Sequence, residues 1–362
     1  MTNIEKALQA NKGEWSELYV LFKIFDERTI PAADSNLQPL PDQKYTFLKV
    51  LREEVSGLQF EYNLEEERRV IIKNPSGGIV KIVDTKHLNS KTKIIFKALK
   101  HASSASFVME DITSLMSDYL IGKVKASSAQ KTDILAVLPD NIGTRENELG
   151  FSVKSHVGGA PTLVNSSSHT NFVYDVTGFR GDVSYVNSIE GPSKIRRRIS
   201  AIKDGGATIT FRTTTSSVFN SNLRLSDTSF PIIMADVLLA YYSGEGSTWP
   251  LLAQRAADNL SLDVTKTETT NIIKTFLRAA ALGMVPSKEW DTKLSAYGGY
   301  IIVLNDGRIV CYHLLNDDEF KEYLYKYTKI DTPSTTKFKF GDLYLDGDRL
   351  SLKLNLQIRF LK

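Results

Sequence analysis

The run Asp133-Ile134-Leu135-Ala136-Val137-Leu138, the polar span from Pro139 to Leu149, and the run Gly150-Phe151-Ser152-Val153-Lys154-Ser155 decide how the chain is read. The first run is continuously apolar behind one carboxylate, as expected of a strand buried on both faces. The polar span reads as a loop. The last run reads as a second strand, so the two form an antiparallel hairpin. Side chains alternate along a strand with a period of two, which aims Ser152 and Lys154 at one face. Asp133 heads the neighbouring strand, 21 residues before Lys154, which is enough chain for two short strands and a loop.

Outward from this hairpin the periodicity changes. Gly13 to Glu27 carries Trp15, Leu18, Tyr19, Phe22 and Phe25 at helical spacing and reads as an amphipathic helix. Tyr45 to Glu54, after Pro41, reads as a second helix. Leu58 to Asp84 reads as short strands turning at Asn74-Pro75-Ser76-Gly77. Phe107 to Leu120 puts Ile112, Leu115, Met116 and Tyr119 on one helical face. Pro192 to Lys203 reads as a basic helix and Ala207 to Arg212 as a strand. Ile232 to Tyr242, Pro250 to Asn259 and Thr269 to Leu282 read as helices. Tyr300 to Leu304 and Ile309 to Leu314 flank Asn305-Asp306-Gly307, a hairpin signal. Leu350, Leu352, Leu354, Leu356, Ile358 and Phe360 alternate as one strand with one buried face. The class is mixed α/β. No internal repeat stands out. The expected organisation is one contiguous body over residues 1–362. Residues 1–106 supply helices and a small β region, 107–263 the core with the hairpin, and 264–362 a helix and β-hairpin region.

Composition sets bounds. At 42% apolar residues, 362 residues can bury a full core, so disorder is not expected. Cys311 is the single cysteine, which excludes an intramolecular disulfide and a thiolate metal cluster and fits a reducing cytoplasm. The first fifteen residues are polar and lack a signal-peptide core. The longest apolar stretch, Pro231 to Tyr242, contains Asp236 and is too short to span a membrane. Lysine and arginine exceed the acids by 45 to 42, a net charge of +3 that permits a nucleic-acid partner without arguing for one. The five histidines show no metal-ligand spacing, which argues against zinc. There is no glycine-rich phosphate loop ending in Lys-Ser/Thr and no Gly-x-Ser-x-Gly elbow, which argues against ATP-driven and serine-hydrolase chemistry.

The hairpin has the residue types that phosphodiester hydrolysis needs. A metal ion must be held by carboxylates beside a polarised water. One acid on a strand, with an acid and a lysine two residues apart on its neighbour, achieves this and is the PD-(D/E)xK nuclease pattern. Here Asp133 and Lys154 occupy the outer positions, and Ser152 stands where the second acid is usual. A serine hydroxyl is a poor metal ligand, so a carboxylate must come from elsewhere. Some restriction enzymes with a Ser-x-Lys version of the motif take it from a helix. Glu17, polar among the aromatics of the first helix, is the candidate. Glu14 is a weaker one, and Glu146 and Glu148 remain open. Pro139-Asp140 is a rival anchor, but it falls at the hairpin tip. Taken alone, an aspartate and a lysine at this spacing are more often a strand-edge residue and a snorkelling side chain.

The surrounding sequence is similar to the HpaII-type restriction endonucleases. The similarity covers Lys12-Gly13-Glu14-Trp15-Ser16-Glu17-Leu18-Tyr19, then Asp133-Ile134 and Gly150 to Ser155, then Pro161-Thr162-Leu163-Val164-Asn165-Ser166-Ser167-Ser168-His169-Thr170-Asn171-Phe172. It continues through Ala281 to Met284, Gly298-Gly299-Tyr300, Ile309 to His313 and Lys353 to Phe360. The resemblance spans nearly the whole chain in order. It implies a PD-(D/E)xK core and Mg²⁺-dependent cleavage of a short palindrome in double-stranded DNA, with CCGG as the type specificity. Asp133, Glu17 and the main-chain carbonyl of Val153 would hold the ion, and Lys154 would polarise the attacking water. By analogy, cutting a palindrome implies a homodimer, and a cognate methyltransferase would act on the same site.

DNA contacts are expected in two further places besides Ser152 and Ser155. Lys194, Arg196, Arg197, Arg198 and Lys203 form a basic cluster on one helix, either a solvated face or a set of phosphate contacts. The polar segment from Gly158 to Asn171 follows Lys154 directly. There Asn165, Ser168, Thr170 and Asn171 are candidate donors to phosphates or base edges.

Overall fold

A computed structural model describes residues 8–55, 58–125, 132–139, 146–259, 262–294 and 296–361, without the side chains of 55, 146 and 147. The chain opens with helix α1 (Lys12–Glu27) and strands β1 (Thr29–Ala33), β2 (Pro39–Thr46), β3 (Lys49–Val55), β4 (Leu58–Asn63), β5 (Arg69–Lys73) and β6 (Ile79–Asp84). Helices α2 (Leu88–His101) and α3 (Glu110–Asp118) follow, then β7 (Ile134–Pro139) and β8 (Glu146–Ser155). The middle of the chain holds β9 (Thr162–Val164), β10 (Asn171–Thr177), α4 (Val183–Ser188), α5 (Lys194–Asp204), β11 (Thr208–Thr214), α6 (Ser217–Ser226), α7 (Phe230–Ser243), α8 (Trp249–Asp258) and α9 (Lys266–Leu282). The last part holds β12 (Gly299–Val303), β13 (Ile309–Tyr312), α10 (Asp317–Tyr327), β14 (Thr328–Ile330), α11 (Thr335–Phe338), β15 (Leu343–Asp346), β16 (Arg349–Asn355) and β17 (Ile358–Phe360). The class is mixed α/β, as expected.

Two compact units divide the chain. One is built from Met1–Pro161 and Leu294–Phe320, the other from Thr162–Lys293 and Lys321–Leu361. Residues 107–263 contribute to both. The first unit carries a ten-stranded mixed sheet in the order β2-β1-β13-β12-β8-β7-β3-β4-β5-β6. The second carries a four-stranded sheet, β11-β10-β16-β15, and a three-stranded one, β14-β17-β9.

The β7–β8 hairpin is antiparallel, with Ile134 opposite Phe151 and Val137 opposite Glu148. Parallel β12 flanks β8 on its other edge. Trp15, Leu18, Tyr19, Phe22 and Phe25 of α1 are buried in one cluster with Phe151 and Val153 of β8 and Ile301 and Val303 of β12. Each such side chain contributes about 1.5–3 kcal/mol on burial, so the aromatic stripe fixes α1 against the hairpin. A capping box starts the helix: the Asn11 side chain accepts from the Glu14 N–H, and Glu14 accepts from the Asn11 N–H.

Three stretches differ from the sequence expectation. Glu146 to Leu149, expected in the loop of the hairpin, already belongs to β8 and pairs with β7. The helix expected over Tyr45 to Glu54 is instead β2 and β3, and β3 pairs with both β4 and β7. Its buried positions, Val50, Arg52 and Glu54, keep the period of two. Two of the three are charged, so the alternation was invisible as hydrophobicity. The pair sustains itself inside: Arg52 Nη2 donates to the Lys123 and Val124 carbonyls at 2.6 and 2.9 Å, and Glu54 accepts the Gly122 N–H at 3.0 Å. The expected single C-terminal strand is two strands in two sheets, β16 and β17, with the chain changing sheets at Leu356-Gln357. Both of those residues are buried, so the apolar alternation runs on through the break. Asp140, the rival anchor, lies outside the described residues.

Candidate active site

The head of the hairpin gathers the expected residues of the first unit. The Asp133 N–H donates to the Phe151 carbonyl at 2.9 Å, extending the ladder one step beyond Ile134. Asp133 Oδ2 accepts the Val153 N–H at 2.7 Å and the Ser152 hydroxyl at 3.1 Å. Lys154 Nζ donates to the same hydroxyl at 3.2 Å. Ser152 therefore links the lysine and the aspartate. The N–H and carbonyl of one strand residue leave by the same edge. Because the Val153 N–H faces Asp133, its carbonyl lies on that edge too.

Glu17 enters from α1. It is half-buried between buried Ser16 and Leu18. Among the described residues it has no hydrogen bond or ion pair. Burial, and then the negative charges of Asp133 and Glu14, push its carboxyl up to about 8 against the pull of Lys125 and Lys154. Glu17 thus lies within electrostatic reach of both Asp133 and Lys154. Glu14 is committed elsewhere, to the cap of α1 and to Lys125 at 3.6 Å. Glu148 is exposed, and the Glu146 side chain lies outside the described residues.

The group of carboxylates fits a hard divalent cation. Asp133 and Glu17, the latter desolvated and without a donor among the described residues, leave a negative charge that a cation would neutralise. Among the described residues no cluster of three or more His, Cys, Asp or Glu could hold an ion. A two-carboxylate site suits an ion that keeps waters and takes substrate phosphate oxygens, as Mg²⁺ does.

Tyr300 was not anticipated as part of this site. In the parallel β8–β12 pair it stands opposite Ser152. The Lys154 ammonium lies over its ring, 5.4 Å from the centroid. The ring is buried and packs against Phe320 at 5.0 Å. Gly299 brings it there: its φ is +101°, and a Cβ would stand 1.9 Å from the Tyr312 carbonyl oxygen. Sequence carries the Gly-Gly-Tyr signal, but not the parallel pairing that sets Tyr300 opposite Ser152.

The expected DNA contacts separate into exposed and buried groups. Ser155, half-buried, accepts the Val157 N–H at 3.2 Å. In the second unit Asn165 and Ser168 are exposed. Thr170 and Asn171 are buried. Thr170 accepts the Ser167 N–H at 3.0 Å, while Asn171 accepts from Asn355 at 2.7 Å and donates to the Phe338 carbonyl at 3.1 Å. On α5 the buried stripe is Ile195, Arg198, Ile199 and Ile202. Arg198 donates to the carbonyls of Ile189, Gly341 and Asn187 and pairs with Glu190 and Asp342. Its guanidinium is used within the fold. Arg196 and Arg197 are exposed, and Lys194 is half-buried and paired with Glu190 at 2.9 Å.

Comparison with known proteins bears on this arrangement. The profile of the HpaII restriction endonuclease family matches residues 11–360. The type II restriction enzyme HpaII of Haemophilus parainfluenzae is 32% identical over 357 residues, covering 97% of this chain and 98% of that protein. No solved structure matches the chain. A match running through the helix of Glu17, the Asp133–Lys154 hairpin and the C-terminal strands places the chain in the HpaII restriction endonuclease family, a family of type II site-specific deoxyribonucleases.

Proposed function

We propose that the chain cuts double-stranded DNA at a short palindrome, CCGG, by Mg²⁺-assisted hydrolysis at the Asp133–Lys154 hairpin. The observation that carries this is the Lys154–Ser152–Asp133 hydrogen-bonded chain beside the desolvated Glu17. Asp133, Glu17 and the Val153 carbonyl would hold the ion. When bound, Mg²⁺ supplies charge neutralisation at the scissile phosphate and lowers the pKa of a coordinated water. Lys154 donates from Nζ to the attacking water or a phosphate oxygen as charge develops there. Ser152 keeps Lys154 and Asp133 in register. The products are a 5′-phosphate and a 3′-hydroxyl.

CCGG rests on the family relationship, and a palindrome favours a homodimer with two sites. A methyltransferase protecting the same sequence, and a cytoplasmic location, follow from the same reading. No helix among the described residues is long and apolar enough to cross a membrane. Ser152 also favours a second reading, a DNA-binding protein with a nuclease core that does not cut. Plasmid digestion with and without Mg²⁺, followed by sequencing of the ends, separates the two. Defined ends at CCGG support cleavage. Salt-sensitive binding with intact DNA at every Mg²⁺ concentration supports the second reading.

A further inference from the structure

The second unit holds a cavity of about 570 Å³ beside the start of α5, whose lining includes Lys194, Arg196, Tyr241, Gly244, Ser247 and Thr335. Among the described residues no carboxylate lines it. The acids nearest in sequence are engaged: Glu190 by Lys194 and Arg198, Glu245 by Arg255, and Asp331, next to Thr332, by Arg359. Arg196 has no hydrogen bond or ion pair among the described residues. Its side chain lies flat across Gly244, where a Cβ would meet its Cδ and Cζ at 2.8 Å. The guanidinium is thus part of the cavity wall. Tyr241 is held by a 2.9 Å hydrogen bond between its hydroxyl and Thr332, and by an edge contact with Tyr242 at 4.9 Å. A fixed aromatic ring, an unpaired guanidinium and several hydroxyls, with no acid, suit a ligand that is flat at one end and anionic at the other.

We propose that this cavity binds one nucleotide unit, its phosphate at Arg196 and its base against Tyr241. The volume falls within the usual range for small-molecule sites, about 300–1,000 Å³. Guanidinium groups recognise phosphate, and bases stack on aromatic rings. The nucleotide is either free in solution or turned out of the stack of bound DNA. The site shares no residue with the cleavage hairpin. It goes beyond the proposed reaction, and because Arg196 is also an expected DNA contact, the monophosphate arm below is the one that separates the two.

The test uses the full chain in two arms. In the first, dCMP and dGMP are titrated by calorimetry alongside their nucleosides. In the second, CCGG duplexes with 2-aminopurine at successive positions are bound in Ca²⁺, and a rise in fluorescence reports an unstacked base. Saturable binding of the monophosphates over the nucleosides, or brightening at one duplex position, supports the site and identifies the source. Arg196→Ala should weaken that signal roughly tenfold or more, Tyr241→Leu should weaken it, and Tyr241→Phe should keep it. Two results overturn the proposal: neither arm gives a signal up to millimolar monophosphate, or Arg196→Ala and Tyr241→Leu leave the signal unchanged. A wild-type chain that binds no duplex at all would count against the nuclease reading, and the monophosphate arm would still decide the cavity.

Discussion

Asp133 and Lys154 are joined through the Ser152 hydroxyl, and neither side chain is itself among the expected DNA contacts. Asp133→Ala or Lys154→Ala is expected to lower cleavage by roughly 10²–10³-fold or more, with DNA binding in Ca²⁺ largely retained. A mutant cutting at near the wild-type rate would show the site to be elsewhere. The Lys154 ammonium lies over the Tyr300 ring, a contact expected to hold the lysine in place. Tyr300→Leu should therefore lower kcat with little change in KM, and Tyr300→Phe should restore it. Equal activity of all three proteins would make the ring contact incidental. Glu17 carries a pH signature. Its folded-state pKa, about 8, lies above the ordinary 4.5, so the folded chain holds the proton more tightly than the unfolded one. Between those values the metal-free protein should lose thermal stability as pH rises. Glu17→Gln should flatten that slope and cost cleavage orders of magnitude, with partial recovery at high Mn²⁺. Because a ligand carboxylate must be deprotonated, Mg²⁺ should bind more tightly as pH rises through about 8. Melting curves against pH, with and without Mg²⁺, check both signs. Unchanged activity of Glu17→Gln would remove it from the metal site. Asp133 and Lys154 were legible because a hairpin is local and strand alternation is strict. Tyr300 was not, because nothing in either segment announces a parallel pairing. Arg198 sits at the i+3 position of the stripe Ile195-Arg198-Ile199-Ile202, so its burial was readable from spacing even though its charge suggested otherwise.

Strand β3 shows how a charged pair hides an element. Periodicity is read from apolar residues, and here two of three inward positions are Arg52 and Glu54, both buried. The remaining apolar residues, Tyr45, Phe47, Leu48, Val50 and Leu51, imitate a helical face. Strand β5, whose inward Val70 and Ile72 are apolar, is legible for the same reason in reverse, and β12 and β13 are legible from the Asn305-Asp306-Gly307 turn between two apolar runs. The pair has an energetic consequence. Removing one partner strands the other charge without water, typically about 3–5 kcal/mol, whereas replacing both by apolar residues of similar size is often close to neutral. Glu54→Leu alone should lower the melting temperature strongly, and the double change Arg52→Met with Glu54→Leu should recover much of it. Denaturant unfolding of the three proteins measures this. A double mutant as unstable as the single would mean that the hydrogen bonds to residues 122–124 matter more than the buried charges.

Taken whole, the chain has a net charge of only +3, so its general field cannot draw it to DNA. Affinity for phosphate must come from a few local groups. The structure divides the most basic segment by burial. Arg196 and Arg197 are exposed on α5, while Arg198 is inside and bonded to three main-chain carbonyls. Each phosphate contact on duplex DNA adds roughly 0.9 to the slope of log K against log salt. Removing Arg196 and Arg197 together is therefore expected to reduce that slope by about 2 and to weaken binding to all sequences alike. Arg198→Ala should instead lower the melting temperature and leave the slope of the folded fraction unchanged. Filter binding of a CCGG duplex and a scrambled duplex across a salt series distinguishes the cases. An unchanged slope in the double mutant would make α5 an ordinary solvated face and move the DNA contacts to the segment of Asn165 and Ser168. A slope that falls for CCGG alone would mean that these arginines read the sequence rather than the backbone.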